Sequence, residues 1–99
     1  MRTPAPERLA RVFRALADET RLRILRLLPN RPVCADMYNV SELVEHIGGS
    51  QPNMSRHLHI LKDAGLVQAR KACGGVYYWR VPQAFREVAV MLGQHASRP

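Results

Sequence analysis

Acidic residues are scarce in this chain of 99 residues. Eight Asp and Glu stand against fifteen Lys and Arg, giving a formal charge of +7 and a pI near 10.5. Such an imbalance suits a polyanion. Nucleic acid comes before a membrane surface, because no cationic amphipathic tail is present. Apolar runs are short, none approaching the roughly 18 residues of a membrane span, and the first residues lack a secretory pattern. The expected compartment is therefore the cytoplasm, with no membrane partner. Cysteine is limited to Cys34 and Cys73, too few for a disulfide scaffold, and a reducing cytosol should keep both as thiols. Also missing are a nucleophile–base–acid set and a glycine-rich phosphate loop, which argues against an enzyme. No internal repeat, low-complexity tract or second domain interrupts a length that suits one modest core.

The positive charge that is present is unevenly spread. Residues 1–32 hold eight Arg against three acids, and 33–49 hold three acids and no Lys or Arg. Residues 50–82 return to five bases against Asp63 alone. The most informative stretch spans that return. Ser41-Glu42-Leu43-Val44-Glu45-His46-Ile47 reads as a short helix broken by Gly48-Gly49, and Ser50-Gln51-Pro52-Asn53 opens a longer one to about Ala64. Two helices joined by a tight glycine turn are a usual way to place a helix in the DNA major groove. Beyond Gly65, two short runs flank Cys73-Gly74-Gly75, with Arg70 and Lys71 before the tip and Arg80 after it. A hairpin with a glycine tip and basic flanks is a wing.

Upstream, Leu9, Val12, Phe13 and Leu16 recur at helical spacing while Arg8, Arg11 and Arg14 fall away from that stripe. Asp18 reads as the N-cap of a second helix that Pro29 ends. Leu22, Ile24, Leu25, Leu27 and Leu28 cover most of its circumference, as in a core helix. Arg21 falls inside that apolar arc, a position where a charge needs a partner, and Asp18 is the obvious one. Val40 is placed as a one-residue bridge to the hairpin, with Ser41 capping the third helix. Pro82 starts a last helix with Phe85, Val88, Ala89 and Leu92 on one side, and Gly93 weakens its end. The expected fold is mainly α with a small β-hairpin, a winged helix-turn-helix in the order helix, helix, helix, helix, hairpin, helix. One domain spans residues 7–95, with flexible tails at 1–6 and 96–99.

On a helical wheel of the longer helix, Met54, Leu58 and Leu61 form the docking side. Pro52, Arg56, His59 and Asp63 lie opposite, with Gln51 and Ser55 on one shoulder and Asn53 and His57 on the other. Gln and Arg can each bond a purine edge bidentately, and Ser suits phosphate or base. Ser50 and Gln51 sit where free N–H groups attract a phosphate. The DNA-binding set is thus Ser50, Gln51, Asn53, Ser55, Arg56, His59, Arg70 and Lys71. Any surface helix can show Gln, Arg and His; the adjacent wing is what favours DNA. The alternative is a winged-helix protein-interaction module without specific DNA binding. Leu9, Val12, Phe13 and Leu16 with Phe85, Val88 and Leu92 exceed what one small core can cover, and a two-fold interface is the simplest cover.

Three separate motifs, Ala15 to Leu25, Ser50 to Leu58 and Leu61 to Val67, closely resemble the ArsR/SmtB family of bacterial winged-helix repressors, as does the Tyr77-Tyr78 strand. The resemblance runs from Glu7 to about His95 in the family order. It implies a homodimer built from the first and last helices, a near-palindromic operator released by an inducer, and DNA contacts at Gln51, Ser55 and the basic wing. Metalloid-sensing members carry a Cys-x-Cys pair where this chain has Asn39 and Ser41. Zinc-sensing members use Asp and His pairs on the last helix, where this chain offers only Glu87 and His95, eight apart. Neither site is intact, so no metal ligand set is assigned.

Two inputs remain open. Cys73 stands beside Arg70 and Lys71, cations that lower a thiol pKa. With Cys34 it forms a pair of candidate sensor thiols for a thiophilic metalloid ion or an oxidant. The plainer reading makes Cys34 a small buried residue and Cys73 an incidental turn residue. Among the histidines, His57 reads as a satisfied structural residue, His59 points to DNA and His46 is a surface residue; none has metal-site spacing.

Overall fold

The computed structural model describes residues 5–72 and 74–96. Five helices and one antiparallel hairpin follow in the expected order: α1 (Pro6–Leu16), α2 (Glu19–Leu27), α3 (Val40–Ile47), α4 (Gln51–Asp63), β1 (Val67–Ala72), β2 (Gly75–Arg80) and α5 (Pro82–Ala96). Pro6 occupies the first turn of α1, where its missing N–H costs nothing. Asp18 caps α2 by accepting from the Arg21 N–H at 3.0 Å. The α3–α4 turn passes through Gly48 at φ 100° and Gly49 at φ 88°, conformations that a side chain resists. Ser50 then caps α4 through the Asn53 N–H.

Asn39, rather than Ser41, caps α3. Its side chain accepts from the Glu42 N–H at 2.8 Å, and the Glu42 carboxylate accepts from the Asn39 N–H at 2.9 Å. This reciprocal box starts the helix at Val40. Val40 is therefore helical, and the isolated bridge to the hairpin belongs to Tyr38, opposite Tyr78. In α5 the helix continues through Gly93.

Ile24, Leu28, Leu43, Met54, Leu58, Leu61, Leu66 and Val67 are the largest fully buried side chains, so α2, α3, α4 and the base of β1 share one core. Two expectations about α1 and α2 change. Leu22 is 46% exposed, because α2 turns it away from the packed face formed by Ile24, Leu25 and Leu28. Val12 is only 4% exposed and lies in this core, so it does not add to the free apolar face of α1.

The hairpin is in register from Val67 opposite Arg80 to Ala72 opposite Gly75. The loop between α2 and α3 is laced to it. The Arg80 N–H donates to Pro29 O at 2.7 Å, the Tyr78 N–H donates to Tyr38 O at 3.0 Å, and the Arg70 guanidinium donates to Pro32 O at 3.1 Å. These bonds satisfy backbone groups that an irregular loop leaves unpaired, and they fix the wing against the body.

Candidate nucleic-acid interface

Helix α4 separates its faces as its periodicity requires. Met54, His57, Leu58 and Leu61 are buried, while Gln51, Asn53, Ser55, Arg56 and His59 are exposed. Not all of the exposed groups are unengaged. The Ser50 hydroxyl is occupied as the cap. The Gln51 amide donates to Ser41 Oγ at 2.8 Å, pinning the start of α4 to α3. His59 Nε2 lies 3.5 Å from Asp63 Oδ2, one turn on, with both side chains largely exposed. Asn53, Ser55 and Arg56 have no side-chain partner among the described residues and present donors and acceptors outward.

The wing departs from the expected arrangement. Strand alternation sends Arg70 and Lys71 to opposite faces of the hairpin. Arg70 shares its face with Trp79, diagonal to it in the register, and its Cζ lies 5.7 Å from that ring's centroid. With the bond to Pro32 as well, Arg70 braces the wing against the α2–α3 loop. Lys71 is exposed and has no partner among the described residues. Arg80 is half-buried, and its Nε has no hydrogen-bond partner among the described residues. Tyr77, Tyr78 and Trp79 are all partly buried, so none is a bare stacking platform. Burial raises the Tyr78 phenol above its ordinary value of 10.0.

Beneath α4, Arg21 has partners other than the one expected. The Asp18 carboxylate takes the Arg21 backbone N–H, while the guanidinium donates from Nε to Ala15 O at 2.7 Å and from Nη2 to Arg14 O at 3.3 Å. Its Nη1 stands 3.2 Å from Nδ1 of the buried His57. The α1 C-terminus supplies the carbonyls because α1 ends beside the start of α2. Asp18 Oδ2 lies 3.8 Å from His57 Nδ1. The Arg21 N–H, and after it the charge of Arg21, hold the Asp18 carboxyl below its ordinary value of 3.8, against an opposing effect of burial. Arg21 in an apolar arc was the sequence signal for this cluster. His57 as its third member was not readable, because the two lie 36 residues apart.

Phe13 at 38%, Val90 at 39% and Leu92 at 50% exposure leave apolar surface on α1 and α5. Leu9, Leu16, Phe85 and Val88 are partly buried, and Leu16, Phe85 and Val88 pack on the core. Cys34 is exposed in the α2–α3 loop and is disulfide-bonded, which replaces the resting thiol expected of it. Cys73 lies outside the described residues. The side chain of His95 is likewise undescribed, and no group of three or more His, Cys, Asp or Glu among the described residues is arranged to hold a metal. No described helix is long and apolar enough to cross a membrane.

The bacterial regulatory protein, arsR family, matches residues 18–69, the span from the α2 cap through α4 into β1. The chain belongs to the ArsR family. It is 36% identical over 89 residues to an HTH-type transcriptional regulator of Methanocaldococcus jannaschii, covering 89% of this chain and 94% of that protein. A probable mercury resistance operon repressor of Streptomyces lividans is 46% identical over 66 residues, 67% of this chain and 49% of that one. Among solved structures, an ArsR-like transcriptional regulator from Rhodococcus sp. RHA1 superposes with a TM-score of 0.81 at 28% identity, covering 92% of this chain and 79% of that one. The chain thus spans nearly all of the first relative and about half of the second. As an ArsR-family member with this fold, the protein is a winged-helix, DNA-binding transcriptional regulator.

Proposed function

We propose that this regulator acts as a homodimeric repressor that holds a near-palindromic operator and leaves it on a chemical signal. The observation that carries the reading is the outward face of α4. Asn53, Ser55 and Arg56 are exposed and unpartnered on a helix whose start is fixed by Ser50 and by the Gln51–Ser41 bond. A rigid helix with free polar groups on its outer face suits base-edge contacts, with Arg56 on guanine and Ser55 on phosphate or base. In this reading Ser50 contributes backbone N–H groups, Asn53 and His59 flank the contact, and Gln51 reaches adenine after exchanging its bond to Ser41. Lys71 contacts phosphate, and Arg70 acts mainly by bracing the wing.

Dimerisation would use Leu9, Phe13 and Leu16 of α1 with Phe85, Val88 and Leu92 of α5. The exposed Phe13, Val90 and Leu92 support this surface. A two-fold pairing sets the two α4 helices about 34 Å apart, one DNA turn.

For the signal, we assign Cys34 and Cys73. The mercury resistance relative makes a thiophilic ion a fitting input for a cysteine pair. Support from the geometry lies in the loop carrying Cys34, which reaches β1 through the Arg70–Pro32 bond. Cys34 is disulfide-bonded in the structure, so ion binding first needs a cytosolic dithiol to reduce that bond, delivering two electrons and two protons. The ion then binds both sulfurs as thiolates and releases the two protons. Peroxide reverses the reduction, taking two electrons and two protons from the thiols to give water and restoring the disulfide. Either change at the loop alters the footing of the wing.

The deciding experiment is fluorescence anisotropy with the sequence flanking its own gene and with a scrambled duplex, across a salt series. The expected result is tighter binding to the native duplex and a steep salt dependence. Equal binding to both duplexes at moderate salt would favour a protein-interaction module instead.

A further inference from the structure

An open cleft of about 540 Å³ lies between α1, α2 and α4, lined by Arg11, Arg14, Ala15, Arg21, Ile60 and Asp63. Three guanidiniums face one carboxylate, and that carboxylate is already turned toward His59. Two other arginines on these helices are neutralised: Arg8 pairs with Glu87 at 3.6 Å, and Arg23 pairs with Glu19. Arg11 and Arg14 have no side-chain hydrogen bond or ion pair among the described residues, although three residues apart on α1 they share a side and repel. Their planar forks match oxyanions, and the volume fits a small ligand.

We infer that this cleft binds a small multivalent oxyanion, phosphate- or carboxylate-bearing, through Arg11 and Arg14. A DNA phosphate shares that chemistry, but the position favours a free ligand. Ile60 and Asp63 lie in the last turn of α4, about 13 and 18 Å along the axis from Gln51 and beyond Arg56. Asp63 on the lining also repels a polyanionic strand. A compact anion can sit on the arginine side, away from it.

Arg21 connects such a ligand to the reading helix. Its N–H groups now serve the carbonyls of Ala15 and Arg14 and His57 Nδ1. An oxyanion entering beside them is a stronger, charged acceptor and competes for those donors. Arg21 drawn into the cleft releases His57, the buried residue between Arg56 and Leu58 on α4. Ligand binding thereby lowers operator affinity. This coupling, unlike the binding itself, rests on the DNA-binding reading.

The test uses the full chain in phosphate-free buffer at constant ionic strength, with inorganic pyrophosphate as the probe. Titration calorimetry is expected to show saturable binding near one site per chain, weakened about tenfold or more in an Arg11→Gln/Arg14→Gln double variant. Non-saturable binding, or equal binding by the variant, overturns the site. Sedimentation of the variant should match the wild type; dissociation into monomers would assign the two arginines to a subunit contact and overturn the proposal. Without pyrophosphate, the variant should bind operator with unchanged affinity and salt slope. A weaker, shallower response would assign the arginines to DNA phosphates, with the same consequence. Added pyrophosphate should weaken operator binding by the wild type about fivefold or more and leave the variant unmoved. Pyrophosphate binding with no change in operator affinity overturns the coupling. Pyrophosphate binding by a chain that recognises no specific duplex leaves the site standing and removes the proposed operator-repressor reading.

Discussion

The side-chain amide of Gln51 donates to the hydroxyl of Ser41 at 2.8 Å, joining the first residue of the reading helix to the helix before it. The bond lies across the Gly48-Gly49 turn, the one place where α3 and α4 could hinge. In the proposed reading, Gln51 is held in this way until DNA offers a better partner. Ser41→Ala should leave stability nearly intact, costing about 0.5–1.5 kcal/mol at most for an exposed bond. It should also relax discrimination at the base pair Gln51 reads. Chemical denaturation and binding to a panel of single-base operator variants would separate the two effects. Undiminished discrimination at every position would show that the pinned conformation does not matter to reading.

Arg56 and Lys71 should fail in different ways. Arg56→Ala is expected to cost about 1–3 kcal/mol of operator binding and to relax preference at one base pair. Lys71→Ala should weaken all duplexes alike and flatten the salt slope by about one unit. Arg70→Ala, by contrast, should lower thermal stability, because it removes the bond to Pro32 and the contact with Trp79.

Leu92 is the cleaner probe of assembly. Phe85 is packed against the core, so a charge there can unfold the protomer, whereas Leu92 is half exposed on α5. Leu92→Glu is expected to yield a folded monomer with sharply reduced operator affinity. Sedimentation velocity with circular dichroism checks both halves, and a variant that remains dimeric would move the interface elsewhere.

Asp18 predicts an acid limb to stability. Its carboxyl is held below its ordinary value of 3.8 in the folded state, so it stabilises the fold fully above that pH. The contribution is lost as pH falls through the lowered value. Asp18→Asn keeps a capping oxygen and removes the charge. It should lower stability at neutral pH and flatten the decline below about pH 4. Parallel urea melts from pH 7 to pH 3 would show whether the two curves converge in acid.

The cysteine assignment is tested by operator binding of the wild type and a Cys34→Ser/Cys73→Ser double variant. Each would be measured reduced, with arsenite, and with mild peroxide. The wild type should lose affinity several- to a hundredfold, corresponding to a coupling of about 1–3 kcal/mol, and the variant should not respond. A variant that still responds like the wild type places the sensor elsewhere.

Local rules made much of this molecule legible in its sequence. Helical spacing in α1, α4 and α5, the glycine turn, the Asp18 and Ser50 caps and the glycine-tipped hairpin each depend on residues within a few positions of one another. They gave the element order and the face of α4 that packs. What the sequence could not decide were relations between segments far apart along the chain. Which side of α2 meets the core left Leu22 exposed, and the approach of α1 to the body drew Val12 inside. The α2–α3 loop lying along the hairpin moved the bridge from Val40 to Tyr38 and turned Arg70 into a brace. Arg21 announced that it needed a partner, but only the docking of α4 on α1 and α2 brought His57 to it. Periodicity specifies a face, whereas packing specifies what that face meets.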